Sequence, residues 1–202
     1  MPSQPDSDIM HLENNEKNHN TMQFPHYASG TVVKGFGRGS KQLGVPTANF
    51  PDSVVNVLPD EFQQGVYYGW AQVDSGTVYK MVMSVGNNPY YNNEKRTMET
   101  YIMHEFGHDF YGSNLKVVIT GYIRPMTSYK SLGKHFNSIF ELLMNKLFSI
   151  KFIYKDDLIA AIHKDISDAK AALDLPENEK YKNDEFFNQN YTNTTNPNLS
   201  RL

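Results

Sequence analysis

Three stretches of this chain carry side chains at spacings that could do chemistry. Gly35-Phe-Gly-Arg-Gly-Ser-Lys41 alternates glycines ahead of a lysine. Such glycines let backbone N–H groups approach an anion closely, and Arg38 and Lys41 add positive charge. The run falls short of a Walker loop, which needs one more spacer and a hydroxyl after the lysine. Alone, it also reads as a basic turn with no ligand. Leu43-Gly-Val-Pro-Thr-Ala-Asn-Phe50 follows directly. In an extended backbone Thr47 and Asn49 project from one face and offer a hydroxyl and an amide oxygen. Both are hard but neutral donors. They suit Mg²⁺, which keeps waters and takes most of its ligation from substrate phosphates. Without the glycine loop, Pro-Thr-Ala-Asn also reads as a capped turn.

The third stretch, His104-Glu-Phe-Gly-His108, spells the H-E-x-x-H zinc signature. That chemistry requires a helix, so that both imidazoles share a face at i and i+4. Here the upstream residues look extended, Gly107 weakens a helix, and Asp109-Phe-Tyr-Gly112 reads as a turn. The expectation is a loop histidine at 108 and no zinc site. Glu99 is the one carboxylate in the strand-like run Thr97-Met-Glu-Thr-Tyr-Ile-Met-His104. By itself it is either a solvated strand residue or a base placed among neutral neighbours.

The elements that position these residues read mostly as strands. Gly65-Val-Tyr-Tyr-Gly-Trp-Ala-Gln-Val73 and Val78-Tyr-Lys-Met-Val-Met-Ser-Val85 flank an Asp74-Ser-Gly turn and form a hairpin. Thr31-Val-Val, the Thr97 run and Leu115-Lys-Val-Val-Ile-Thr-Gly-Tyr-Ile123 add further strands. Antiparallel strands in so short a span must hide their edges, and a closed barrel does so. A helix starts at Asp156 or Asp157, either of which can cap it, with Leu158, Ile162, Ile166 and Leu173 on one stripe and Pro176 beyond its end.

Composition excludes several classes. The 202 residues fit one domain, and 19 Lys+Arg against 22 Asp+Glu give a net charge of −3, which is not the footprint of a nucleic-acid binder. There is no cysteine, hence no disulfide, thiolate zinc site or cysteine nucleophile. No apolar run reaches the roughly 18 residues of a membrane span. The N-terminus has neither a signal core nor transit-peptide character. The expectation is a cytoplasmic monomer without membrane or nucleic-acid partners. Residues 1–23 and 188–202 read as disordered tails around a domain at 24–187, onto which Phe186 and Phe187 pin the end of the chain.

Taken together, the glycine loop through Pro-Thr-Ala-Asn-Phe50, Gly65-Val-Tyr-Tyr-Gly-Trp70, Asn88-Pro-Tyr-Tyr91, Met98-Glu-Thr-Tyr-Ile-Met-His104, Asp109-Phe-Tyr-Gly112 and Gly121-Tyr-Ile-Arg-Pro125 resemble the eukaryotic monofunctional riboflavin kinases. The resemblance implies a mainly β fold: a six-stranded antiparallel Greek-key (split) barrel with a C-terminal α-helix packed on it. It implies transfer of the ATP γ-phosphate to the 5′-hydroxyl of riboflavin, giving FMN. It also implies Glu99 as catalytic base, Thr47 and Asn49 as ligands of Mg²⁺ (or Zn²⁺), and Gly35, Lys41, Thr47, Ile102, His104 and Tyr111 around ATP. Arg124, Thr127 and Asp157 would face the flavin.

One segment departs from the family pattern. Residues 133–155 stand where the family runs almost directly into the helix, and 14 of the 23 are Phe, Ile, Lys, Asn or Tyr. These are types with A/T-rich codons, as an intron read through in frame would supply. The other reading is a real amphipathic helix with Phe136, Ile139, Phe140, Leu143 and Leu147 as its stripe. Because the insertion enters where the flavin pocket closes, the alternative function is a flavin- or nucleotide-binding barrel without turnover.

Overall fold

The computed structural model describes residues 22–35, 43–87, 96–126 and 149–189. Lys41, Thr127, the Asn88–Tyr91 motif, most of the glycine loop, residues 133–148 of the insertion and the outer parts of both tails lie outside these. Among the described residues six strands form one antiparallel sheet: β1 (His26–Thr31), β2 (Ala48–Asn49), β3 (Gly65–Val73), β4 (Val78–Asn87), β5 (Arg96–Ile102) and β6 (Asn114–Pro125), in the order β1-β6-β3-β4-β5-β2. The chain makes the β3-β4-β5 meander and then returns β6 to the far side of β3, which is Greek-key topology. The sheet curls into a half-barrel whose edges touch where the Val33 N–H donates to the Asn49 carbonyl at 2.9 Å.

Alternation decides what faces inward. Met81, Met83 and Val85 of β4, Met98, Thr100 and Ile102 of β5, and Leu115, Val117 and Ile119 of β6 are buried. They enclose Phe62 and Tyr67, whose rings stack 4.7 Å apart. Burial also pushes the Tyr67 phenol up from its ordinary pKa. Strand β6 is buried on both faces, because Val118 points outward into a second cluster with Trp70, Leu173, Phe186 and Phe187. This explains why Leu115–Thr120 is nearly continuously apolar in sequence. Lys116 interrupts that run, yet is only 4% exposed. Its ammonium reaches the carbonyls of Phe187 (2.9 Å) and Gln189 (2.6 Å), so it ties down the end of the described chain.

The C-terminal helix α2 (Ser149–Leu173) is longer than its sequence pattern suggests. It follows the short α1 (Asp52–Val55) and runs back into the insertion. Asp156 and Asp157 are therefore interior residues and cap nothing. The expected stripe faces the sheet, but its deepest members are not its largest: Asp165, Ala169 and Leu173 are buried, while Leu158, Ile162 and Ile166 on the same side are half-buried. Small Ala169 lets the helix approach the sheet, with the larger aliphatic residues of the stripe beside it. Beyond it, α3 (Pro176–Glu179) and two short 3-10 turns carry Phe186 and Phe187 back to the sheet. The Trp70 indole N–H donates to the Asn178 carbonyl at 2.9 Å. No helix among the described residues is long and apolar enough to cross a membrane.

The β3–β6 pairing depends on the absence of a side chain at position 69. A Cβ there would sit 2.0 Å from the Val118 carbonyl oxygen and 3.0 Å from the Ile119 Cα, next to a register shift. Backbone on a central strand cannot move aside as a flexible side chain would. Gly69→Ala should therefore destabilise the protein by about 3 kcal/mol, measured as a lower midpoint in urea unfolding. An unchanged midpoint would mean that β6 shifts freely there.

Candidate active site

The Thr47–Asn49 segment lies along β5 as the sheet's short edge strand. Ala48 stands opposite Thr100 and Asn49 opposite Glu99, and the pairing continues with the Phe50 N–H donating to the Met98 carbonyl at 3.3 Å. Ala48 is buried inward at 5% exposure. Thr47 and Asn49 consequently lie on the opposite, outer face, both half-buried. Glu99 reaches that face for the same reason, since its neighbours Met98 and Thr100 point into the core. The Thr47 hydroxyl donates to Glu99 Oε2 at 3.5 Å, and the Asn49 Nδ2 donates to the Thr47 carbonyl at 3.3 Å.

Gly35 closes this cluster from the β1 side. A Cβ on it would stand 2.5 Å from Asn49 Nδ2 and 2.9 Å from its Cγ. The glycine thus leaves the space that the Asn49 amide occupies, besides opening the loop toward Lys41. A hydroxyl, an amide and a carboxylate converge at one spot, all hard oxygen donors and only one of them charged. Such a set fits a divalent cation that draws most of its ligands from a bound phosphate chain and water. Among the described residues no group of three or more His, Cys, Asp or Glu is placed to hold a metal ion.

The residues expected around a nucleotide divide between surface and core. After Ile102 the chain bends instead of turning into a helix, so His104 and His108 do not take the i, i+4 geometry of a zinc site. The His104 ring stacks on Tyr79 with centroids 4.0 Å apart and an interplanar angle of 10°, and meets Phe106 edge-on at 4.9 Å. Phe106 in turn packs on Phe110 at 4.6 Å. The Gly112 N–H donates to the Val32 carbonyl at 3.0 Å, fastening the turn that carries Tyr111 to the end of β1. Tyr111 is 55% exposed. Ile102 stands apart, with its side chain 4% exposed in the barrel core on the face opposite Glu99. What it can offer outward is backbone, and its carbonyl accepts from the His104 N–H at 2.8 Å.

Of the residues expected to face the flavin, Arg124 lies near the end of β6 and makes a two-pronged pair with Asp165 of α2. Asp157 is exposed two turns earlier on the same helix. Tyr79 and Asp165 were not singled out by the sequence. Tyr79 reads as one aromatic in a strand, whereas Asp165 did leave a signal: it is a carboxylate between Ile162 and Ile166 on the apolar side of the helix.

A family model described as flavokinase, riboflavin kinase, matches residues 22–141. The chain is 50% identical over 164 residues to the human riboflavin kinase, covering 81% of this chain and 91% of that protein. It is 42% identical over 168 residues to a bifunctional riboflavin kinase/FMN phosphatase of Arabidopsis thaliana, covering 81% of this chain but 37% of that longer protein. Among solved structures, the riboflavin kinase of Trypanosoma brucei superimposes with a TM-score of 0.57 at 25% identity, over 82% of this chain and 90% of that one.

Proposed function

This chain belongs to the riboflavin kinase family, and from that premise we propose how its own residues divide the phosphorylation of riboflavin to FMN by ATP. The observation that carries the assignment of roles is the convergence of Thr47, Asn49 and Glu99 across the β2–β5 pair. Phosphoryl transfer rests on positioning and on neutralising charge, with a carboxylate to orient the attacking hydroxyl. Glu99 is that base: it accepts the proton of the riboflavin 5′-hydroxyl as the oxygen attacks the γ-phosphorus and the bond from that phosphorus to the β–γ bridging oxygen breaks, releasing ADP. Thr47 and Asn49 hold the divalent cation, Mg²⁺ or Zn²⁺, and Thr47 also touches ATP. When bound, that cation neutralises charge on the phosphate oxygens.

Backbone amides opening at Gly35, together with Lys41, hold phosphates. His104, Tyr111 and the backbone at Ile102 line the nucleotide side, and the stack of His104 on Tyr79 supports a fixed ring there. Arg124, Thr127 and Asp157 face the flavin. The same reading takes the protein as a cytoplasmic monomer without membrane or nucleic-acid partners, for which the near balance of charge is the support.

The non-catalytic alternative assumed that the insertion displaces the helix that closes the site. The seating of α2 on the sheet through Ala169, Leu173 and the Arg124–Asp165 pair speaks against it. Purified full-length chain given riboflavin, ATP and Mg²⁺ should therefore form FMN, read by chromatography, as should a form lacking residues 133–155. FMN from the shortened form only would establish the alternative for this chain. No FMN from either, in folded protein, would overturn the assignment.

A further inference from the structure

We infer that Asp165 is a positioning residue for riboflavin: it holds the Arg124 guanidinium in one plane and so makes docking of α2 a condition of flavin binding. The inference rests on the reading of Arg124 as a flavin-facing residue and extends it to a side chain with no role so far.

Arg124 lies at the end of β6, opposite Val66 of β3. Its Nε–H donates to Asp165 Oδ1 at 2.8 Å and its Nη2–H to Oδ2 at 2.7 Å, while Nη1–H donates to the Pro125 carbonyl at 3.2 Å. A two-pronged contact of this kind fixes the plane of the guanidinium, which a single-point contact cannot do. The carboxylate side is the more deeply held, with side-chain exposures of 28% for Arg124 and 8% for Asp165. Asp165 occupies the helix face shared with Ala169 and Leu173, both fully buried.

Stability does not account for a charge at that place. Burying an ion pair costs desolvation, and well-packed apolar side chains in its stead are commonly neutral or stabilising. What the pair supplies is orientation of a guanidinium that remains partly exposed at the mouth between sheet and helix. It also joins a strand and a helix through two residues 41 positions apart in sequence. A ligand that needs Arg124 held must favour the docked helix, and by linkage it then strengthens the docking.

The test uses the full-length protein and the isosteric variant Asp165→Asn. The riboflavin KM should rise about tenfold, equivalent to about 1.4 kcal/mol, with the KM for ATP unchanged and with partial recovery in Asp165→Glu. A lowered melting temperature with an unchanged riboflavin KM would mark Asp165 as merely structural and overturn the inference. Arg124→Ala separates the two levels. If it leaves the riboflavin KM unchanged, the flavin role of Arg124 itself fails. If it raises the KM while Asp165→Asn does not, only the role of Asp165 fails. Should Asp165→Asn not fold, amide hydrogen exchange in unmodified protein decides instead: riboflavin should slow exchange across residues 160–173, and no slowing overturns the inference.

Discussion

Glu99→Gln should lower kcat for FMN formation by about 10²–10⁴-fold, the range expected when a positioned general base is removed, while ATP binding stays close to that of the unmodified protein. The amide keeps the size and the hydrogen-bonding reach of the carboxylate, including an oxygen able to accept from the Thr47 hydroxyl, now 3.5 Å from Glu99 Oε2. It cannot take the proton of the attacking hydroxyl. Glu99 stands on the outer face of β5, half-buried, with its neighbours Met98 and Thr100 turned into the core, so the substitution disturbs no packing. Single-turnover kinetics with saturating riboflavin and ATP isolate the chemical step. Turnover within a few-fold of the unmodified enzyme would remove Glu99 as the base.

The second large effect is expected at the opposite side of the same strand pair. Asn49→Leu keeps the γ-branching and the number of side-chain heavy atoms but removes the hard oxygen, and it places an apolar group beside Thr47 and Glu99. On the proposed role of Asn49 as a ligand to the charge-neutralising cation, its loss should lower kcat/KM by about 10²–10³-fold, as when one electrostatic stabiliser of a transition state is removed, and should raise the Mg²⁺ concentration needed for half-maximal rate. The shift in metal dependence is the decisive readout, because misfolding would reduce activity at every Mg²⁺ concentration alike. The fit is close there, since the Asn49 amide fills the space beside Gly35, where a Cβ would lie 2.5 Å from Nδ2. Activity lost without any change in metal dependence would remove Asn49 from the metal site.

Much of this was legible in the residues. Alternation in Gly65–Val73, in Val78–Val85 and in Leu115–Ile123, with the Asp74 turn between the first two, corresponds to β3, β4 and β6 within a residue or two. A strand's period is local, and a turn at Asp74, whose φ is 51°, needs only local residues to form. The common face of Thr47 and Asn49 follows from the same period of two. That Glu99 lies opposite Asn49 does not follow from it, because the register between β2 and β5 joins segments far apart in sequence.

The helix shows the limit most clearly. A stripe of Leu158, Ile162, Ile166 and Leu173 is the natural reading of an isolated amphipathic segment, and that side does meet the sheet, yet the residues most deeply buried there besides Leu173 are Asp165 and Ala169. Which residues go deepest depends on what the sheet presents there, namely an Arg124 fork that satisfies a buried carboxylate. The start at Ser149 was hidden for a related reason, since Asp156 and Asp157 look like caps until the preceding residues are seen to continue the helix.

By itself, then, the sequence determined the strand-rich class, the residue types able to handle a phosphate chain and a hard cation, and the family to which they belong. These depend on local period, on turn chemistry and on donor type, all carried by short stretches of residues. Only the tertiary structure decided that Thr47, Asn49 and Glu99 share one face across a strand pair, that Ile102 turns into the core, and that Arg124 is held by Asp165. Each of these is a contact between distant segments, set by register and by packing on a common core.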